Sequence, residues 1–231
     1  MNNSIAIITA RGGSKRIPKK NIKEFCGKPI IAYSIESAVL SGIFDSVMVS
    51  TDDENIKQIA EQYGARVPFL RSQKTSNDYA TTADVINEVL TNLAEMGERY
   101  DWFACIYPTA PFVSAERLKQ AKDIFVSEKA DSLKAVVKYG FPPQRAMLIR
   151  DNKLVYQYPE YAKARSQDLE PVYHDCGQFY FCKTDSFQKY HSLSTPNTMP
   201  FIVPEEEVQD IDCLSDWIIA EAKYKVLHDL L

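Results

Sequence analysis

The stretch IAIITARGGSKRIPKKN, residues 5–21, joins a short apolar run to a strongly basic turn. Residues 5–9 are rich in β-branched side chains, which is typical of a strand buried on both faces of a parallel sheet. Residues 10–21 hold two adjacent glycines, one proline and the five cations Arg11, Lys15, Arg16, Lys19 and Lys20. A buried strand that runs directly into such a turn predicts an α/β fold with a ligand site at the carboxyl end of the strand.

The rest of the chain alternates between strand and helix periodicities. Strands are predicted at residues 46–51, 102–108, 132–139 and 177–182, and helices at residues 28–42, 52–64, 81–97, 114–130 and 214–231. Pro29 and Gly42 are start and stop signals of the first helix, and the acids Asp52 and Asp53 are interpreted as a helix cap. The last helix is expected to be amphipathic. This alternation indicates an α/β domain with a mostly parallel sheet.

The alternation breaks at Gly140. Residues 140–173 are aromatic and polar without a helical period, and we interpret them as an inserted, hairpin-like arm on a core made of residues 1–139 and 174–231. Aromatic residues and methionine are enriched at the centres of protein interfaces. The pattern alone leaves two alternatives equally open, packing of the arm on its own body and packing on a second subunit.

The bulk composition excludes several classes of function. The chain has 231 residues, 45% of them apolar, and a formal net charge of -4, which argues against a nucleic-acid or membrane-surface partner. Its five cysteines form no C-x-x-C pair, which favours reduced thiols. The first residues do not resemble a signal peptide, and no apolar run approaches the ~18 residues of a membrane span. We therefore expect a cytoplasmic protein.

The basic turn has the chemistry of a phosphate site. It matches neither G-x-G-x-x-G nor the P-loop pattern. Gly12 and Gly13 nevertheless allow backbone N–H groups to approach an anion, while Arg11, Lys15 and Lys20 can neutralise it. A solvated basic loop is the alternative, and the interruption of the charge run by Gly-Gly and Ile-Pro argues against it. We expect polyphosphate binding.

Two acidic features have competing interpretations. Asp210 and Asp212 share one face of an extended segment and suit Mg²⁺, which binds one or two carboxylates together with substrate phosphates. Alternatively, Asp212 caps the last helix. His174 beside Asp175 suggests a catalytic triad, but the chain has no G-x-S-x-G motif, so we give that interpretation little weight.

Six segments together resemble the CMP-sialic acid synthetase family, cytidylyltransferases that activate nine-carbon acidic sugars. They are IITARGGSKRIPKKN (7–21), FDSVMVSTDDENI (44–56), VPFLR (67–71), NDYATTADVI (77–86), PTAP (108–111) and DID (210–212). The resemblance covers nearly the whole chain. It implies a Rossmann-like nucleotidyltransferase fold, a three-layer sandwich with a mostly parallel sheet, in which the arm is a dimerisation segment that reaches the active site of the partner in a homodimer.

The resemblance also implies roles for individual residues. Those around the CTP phosphates and ribose would be Ala10, Arg11, Gly12, Gly13, Ser14, Lys15, Lys20 and Asn21, with Lys20, Arg11 and Lys15 as the catalytic cations. Arg71, Ala80 and Thr82 would lie near the cytosine. Asp210 and Asp212 would hold Mg²⁺.

The sugar-side segments depart from the sialic acid pattern. This chain has YPTAPFV (107–113) and YHDCGQFY (173–180) where sialic acid synthetases resemble QPTSPLR and RPNGAIY. Polar groups are lost and aromatic surface is gained, so we expect a less hydroxylated sugar acid, and the segments look like the pseudaminic acid branch. The residues expected to form the sugar pocket are Tyr107, Thr109, Arg165, His174, Gln178 and Tyr180. Rival substrates are N-acetylneuraminic, legionaminic and 3-deoxy-octulosonic acids, and a rival class is a non-catalytic nucleotide-binding protein.

Overall fold

The computed structural model describes residues 3–230, so residues 1, 2 and 231 of the expected core lie outside it. Ten strands form within this range: β1 (Ser4–Thr9), β2 (Glu24–Phe25), β3 (Lys28–Pro29), β4 (Ser46–Ser50), β5 (Trp102–Ile106), β6 (Ser132–Lys138), β7 (Met147–Arg150), β8 (Lys153–Tyr156), β9 (Tyr173–Lys183) and β10 (Thr198–Ile202). Seven α-helices accompany them: α1 (Ile30–Ser41), α2 (Glu54–Gln62), α3 (Gln73–Ser76), α4 (Thr82–Glu95), α5 (Ala115–Ser127), α6 (Thr184–Tyr190) and α7 (Leu214–Leu227).

Six strands form the central sheet, in the order β10-β6-β9-β5-β1-β4. The pairs β1–β4, β1–β5 and β6–β10 are parallel, which confirms the prediction of a mostly parallel sheet. Strand β9 is antiparallel to both of its neighbours, β5 and β6. Since residues 139–172 leave β6 at its carboxyl end and return the chain to the same end, β9 has to run in the opposite direction.

Helices cover both faces of the sheet and make three layers. Side chains alternate along β1, so Ile7 belongs to a buried cluster with Val89 of α4 on one face. Ile8 belongs to the cluster on the other face, together with Ile35 of α1 and Phe125 of α5. A smaller cluster fixes α7 beside β2 through Trp217 and other aromatic residues. No helix within residues 3–230 has both the length and the apolar composition needed to cross a bilayer.

Local signals in the sequence place most helix ends correctly. Gly42 ends α1 with a φ of 64°, and Asp53 caps α2 by accepting hydrogen bonds from two backbone N–H groups. The prediction for α7 is less accurate, because apolar side chains lie on both of its faces. Trp217 is buried, whereas Ile218 and Ile219 are 67% and 47% exposed.

The arm region contains the antiparallel hairpin β7–β8 and short 3-10 turns. Tyr173, which the sequence groups with the arm, is the first residue of β9 and pairs with Lys138 of β6. Large apolar side chains of the hairpin point into solvent in the single chain, among them Ile149 and Leu154.

Candidate active site

A cavity of about 650 Å³ lies at the carboxyl ends of β1 and β5. Its lining comes from the turn after β1, from the turn after β5, from the start of α4 and from the segment before α7. The lining residues are Thr9, Arg11, Ser14, Lys15, Arg16, Ile17, Lys20, Asn21, Asp78, Thr82, Tyr107, Pro108, Thr109 and Asp212. Parallel strands bring separate chain segments together in this way, because their carboxyl ends meet at one edge of the sheet.

Carboxylates from distant segments pair with four of the loop cations. Arg11 donates a hydrogen bond of 2.7 Å to Asp78, which also accepts one from Lys15. Arg16 donates to Asp212 at 2.8 Å, while Nζ of Lys20 lies 3.8 Å from the same carboxylate. The cations predicted to bind phosphate are therefore gathered at one cavity, next to two carboxylates.

Lys20 is the most enclosed of these cations. Its Nζ donates a 2.7 Å hydrogen bond to the carbonyl of Ile211, which holds the side chain against the segment before α7. Burial lowers the pKa of Lys20, and the charges of Asp212 and Asp210 oppose that shift. A cation fixed in this way costs little reorganisation when negative charge develops nearby.

The glycines of the turn differ in their surroundings. The N–H of Gly12 donates a 2.8 Å hydrogen bond to the carboxylate of Asp52, so this donor is directed at a protein anion rather than at the cavity. Gly13 is exposed and faces open space. In this structure Asp52 therefore occupies the N–H of Gly12, and phosphate binding by Gly12 and Gly13 stays a prediction.

Ala10 and Asn21 shape the turn from inside. Both are buried; the N–H of Ala10 donates to the carbonyl of Ser50, and the Asn21 amide donates to the carbonyl of Arg11 at 2.9 Å. Asn21 thereby ties the two ends of the basic turn together. Ser14 lies in the cavity wall.

The three residues expected near the cytosine are only partly brought together. Thr82 lines the cavity, and its hydroxyl lies 3.3 Å from that of Tyr107. Arg71 is instead buried behind the wall, where its guanidinium donates to the carbonyl and the hydroxyl of Ser50. Burial lowers the pKa of Arg71 to about 10. Ala80 lies outside the lining, in a turn whose N–H groups donate to Asn77.

The expected sugar residues divide between a cavity wall and a buried layer. Tyr107 and Thr109 line the cavity, whereas Tyr180 and Gln178 are buried behind it. The hydroxyl of Tyr180 donates to the carboxylate of Asp175, at 2.8 and 2.7 Å from its two oxygens. The Gln178 amide donates to the carbonyl of Glu207. These two residues support the wall rather than form it.

A second cavity of about 270 Å³ contains His174 and Asp210. His174 packs against Tyr139, with ring centroids 4.5 Å apart, and the neighbouring Asp175 accepts a salt bridge of 3.4 Å from Lys134. The remaining lining residues are Val137, Lys138, Gly140, Cys176, Glu205, Val208, Gln209 and Lys223. Arg165 lies in neither lining; it is exposed on the arm and pairs with Asp168 at 2.7 Å.

The sequence predicts that Asp210 and Asp212 share one face, but Asp212 lines the main cavity and Asp210 lines the second one. Their charges still influence each other. Burial raises the pKa of Asp210, and so does the negative charge of Asp212, while Lys20 opposes the shift. The alternative in which Asp212 caps α7 is wrong, because Cys213 is the N-cap residue and Asp216 accepts from the N–H groups of Asp212 and Cys213.

The two carboxylates are the donor set available for a metal. Within residues 3–230, no cluster of three or more His, Cys, Asp or Glu side chains is arranged to hold a metal ion. A pair of hard oxygen ligands fits Mg²⁺, which takes its remaining ligands from water and substrate phosphates.

Two groups in the site were missed by sequence reasoning. Asp78 lies 67 positions from Arg11 along the chain, and the NDYATTADVI segment contains no signal that its carboxylate reaches the basic turn. Lys134 sits in an ordinary strand pattern, with no local sign that it contacts Asp175.

The chain is similar to known cytidylyltransferases. The cytidylyltransferase family model matches residues 5–201. A pseudaminic acid cytidylyltransferase of Campylobacter jejuni is 42% identical over 98% of both chains, and a CMP-N,N'-diacetyllegionaminic acid synthase of Legionella pneumophila is 31% identical over 98% of both. The solved structure of CMP:2-keto-3-deoxy-manno-octonic acid synthetase complexed with CTP superposes with a TM-score of 0.72, at 17% identity and full coverage of both chains.

The central sheet is covered by helices on both faces and has the cationic cavity at the carboxyl ends of its strands. This arrangement is the Rossmann-like fold of the nucleotidyltransferases. Within that class, the chain belongs to the cytidylyltransferase family.

Proposed function

We propose that the protein transfers CMP from CTP to the anomeric hydroxyl of a nine-carbon acidic sugar, with pseudaminic acid as the favoured substrate, and releases pyrophosphate. The observation that carries the proposal is the convergence of Arg11, Lys15, Lys20 and Asp212 on one cavity at the carboxyl ends of β1 and β5. Full-length similarity to a pseudaminic acid cytidylyltransferase supports the choice of sugar.

The proposed mechanism is an in-line attack of the sugar hydroxyl on the α-phosphorus of CTP. Arg11 and Lys15 bind the phosphates, and Lys20 stabilises the charge that develops at the α-phosphate. Asp210 and Asp212 would hold Mg²⁺, which neutralises phosphate charge when bound. The protein mainly positions its substrates and supplies fixed positive charge.

The sugar is proposed to occupy the space beside Tyr107 and Thr109. Tyr180 and Gln178 hold that wall in place from behind, and His174 extends the site toward the second cavity. An aromatic wall favours a sugar acid that has a methyl group in place of a hydroxylated tail.

A homodimer is proposed to complete the site. Arg165 is exposed on the arm and lies outside both cavity linings of its own chain, so we assign it to the sugar carboxylate of the partner's site. The exposed Ile149 and Leu154 supply an apolar surface for the contact between subunits. A cytoplasmic location is proposed because all five cysteines are free thiols.

The proposal is tested by incubating the enzyme with CTP, Mg²⁺ and a panel of sugar acids while pyrophosphate is measured. Pseudaminic acid is expected to give the highest kcat/KM. A preference for legionaminic acid, which the similarity to the Legionella synthase makes the second candidate, would change the sugar and keep the reaction. CTP binding without pyrophosphate release from any of the acids would contradict the enzymatic assignment.

A further inference from the structure

Asp78 joins the two cations at the entrance of the basic turn. Its carboxylate accepts hydrogen bonds from Arg11 and Lys15, through different oxygens, and it lines the main cavity with them. Lys15 is largely exposed, and the side chains of Arg11 and Asp78 are 35% and 42% exposed. The bridge is therefore open to an incoming anion.

The backbone around Asp78 is held from both sides. Asn77 accepts hydrogen bonds from the N–H groups of Tyr79 and Ala80, at 2.8 and 3.0 Å. Thr81 and Asp84 then form a reciprocal capping box at the start of α4. The turn thus keeps the Asp78 carboxylate beside the cations.

We propose that Asp78 is an internal anion that pairs with Arg11 and Lys15 before the nucleotide binds and competes with the CTP phosphates for them. The inference rests on the proposed function, in which these two cations bind phosphate. When CTP binds, phosphate oxygens replace Asp78 as the partner of the two cations. The free energy of binding therefore reflects the new ion pairs with phosphate minus the lost ion pairs with Asp78.

The test uses Asp78→Asn and isothermal titration with CTP, inorganic tripolyphosphate and cytidine. Because exposed ion pairs are individually weak, we expect CTP and tripolyphosphate to bind about three- to tenfold more tightly. Cytidine carries no phosphate, and its affinity should stay unchanged. Asp78→Glu retains the charge and should restore affinity to near the wild-type value, which a merely structural role would not predict.

Asp123→Asn, an exposed charge removal on α5, is the matched control and should leave all three affinities unchanged. Asp78→Ala removes the same charge and is used if a thermal melt shows that the Asn variant folds poorly. It should show the same increase in affinity for CTP and tripolyphosphate. Unchanged or weaker CTP binding in either folded variant overturns the proposal. Lys15→Ala tests the proposed function separately from the role of Asp78. Unchanged CTP affinity in that variant would reject the assignment of the cations to phosphate binding.

Discussion

A Cβ atom on Gly12 would lie 2.9 Å from the Cβ of Asp53 and 2.7 Å from its Oδ2, closer than side-chain carbons approach other atoms in proteins. Asp53 cannot retreat easily, because its carboxylate caps α2 by accepting from the N–H groups of Asn55 and Ile56. Gly12 is therefore required by the close approach of the basic turn to the start of a helix.

Gly12→Ala is expected to lower the free energy of unfolding by about 1–3 kcal/mol, the usual cost of overpacking. Gly13 is the matched control, since a Cβ there meets open space, and Gly13→Ala should change stability by less than about 0.5 kcal/mol. Urea denaturation of the two variants measures the difference. Equal changes in the free energy of unfolding for the two variants would show that the turn can move away from Asp53 without loss of stability.

Lys20→Ala is expected to abolish CMP transfer while the fold survives. Lys20 is fixed by the carbonyl of Ile211 and proposed to stabilise charge at the α-phosphate, so its loss should reduce kcat by at least about 10²-fold. Pyrophosphate release measures the loss, and circular dichroism checks the fold.

The neighbouring Lys19 provides the control for that variant. It is exposed and lies outside the cavity lining, so Lys19→Ala should retain most of the activity. Turnover close to the wild-type rate in Lys20→Ala would remove the proposed catalytic role.

The elements that sequence reasoning placed correctly are those with local signals. The buried run of β1, the cap at Asp53 and the left-handed Gly42 each act within a few residues. The antiparallel direction of β9 depends on where the arm returns the chain, which no local pattern encodes.

The candidate site also combines features that have local sequence signals with features that depend on distant parts of the chain. The basic turn could be recognised because its five cations lie within residues 11–20. Their partners come from elsewhere in the chain: Asp78 is 63 positions from Lys15, and Asp212 is 196 from Arg16. The resemblance of residues 173–180 to the pseudaminic acid branch implies that Tyr180 lies in the sugar pocket. Its hydroxyl instead turns to Asp175, and only the packed sheet reveals that orientation.

The pair of Arg66 and Glu98 predicts a pH dependence of stability. Hydrogen bonds from Arg66 and then Tyr100 lower the pKa of Glu98, so the folded protein favours the ionised carboxylate. Its contribution is present above the unfolded pKa of about 4.3 and is lost as the pH falls through the lower folded value.

Glu98→Gln should therefore be less stable than the wild type at pH 7, by about 0.5–1 kcal/mol for a partly exposed bidentate pair. The difference should vanish in strong acid, below the folded pKa of Glu98. Urea denaturation at pH 7 and in strong acid measures the difference in stability under the two conditions, with the exposed Glu95→Gln as control. A difference that does not depend on pH would show that the carboxylate charge contributes nothing.

Ile149 and Leu154 are cross-strand partners in the β7–β8 hairpin and are 76% and 70% exposed. If this pair forms the proposed subunit contact, Ile149→Asp combined with Leu154→Asp should convert a dimer into monomers, as measured by light scattering. The next pair in the register is Arg150 and Lys153, and replacing both with alanine should preserve the dimer. A monomeric wild type would reject the proposed homodimer.

Mixing two inactive variants tests whether the arm completes the partner's site. Lys20→Ala and Arg165→Ala should each be inactive alone. If Arg165 acts in the partner's site, a heterodimer of the two variants contains one intact site, made of Lys20 from one subunit and Arg165 from the other. Random reassociation of a symmetric dimer should then restore about a quarter of the wild-type pyrophosphate release. If Arg165 serves its own subunit, both sites of the heterodimer remain defective and mixing restores nothing.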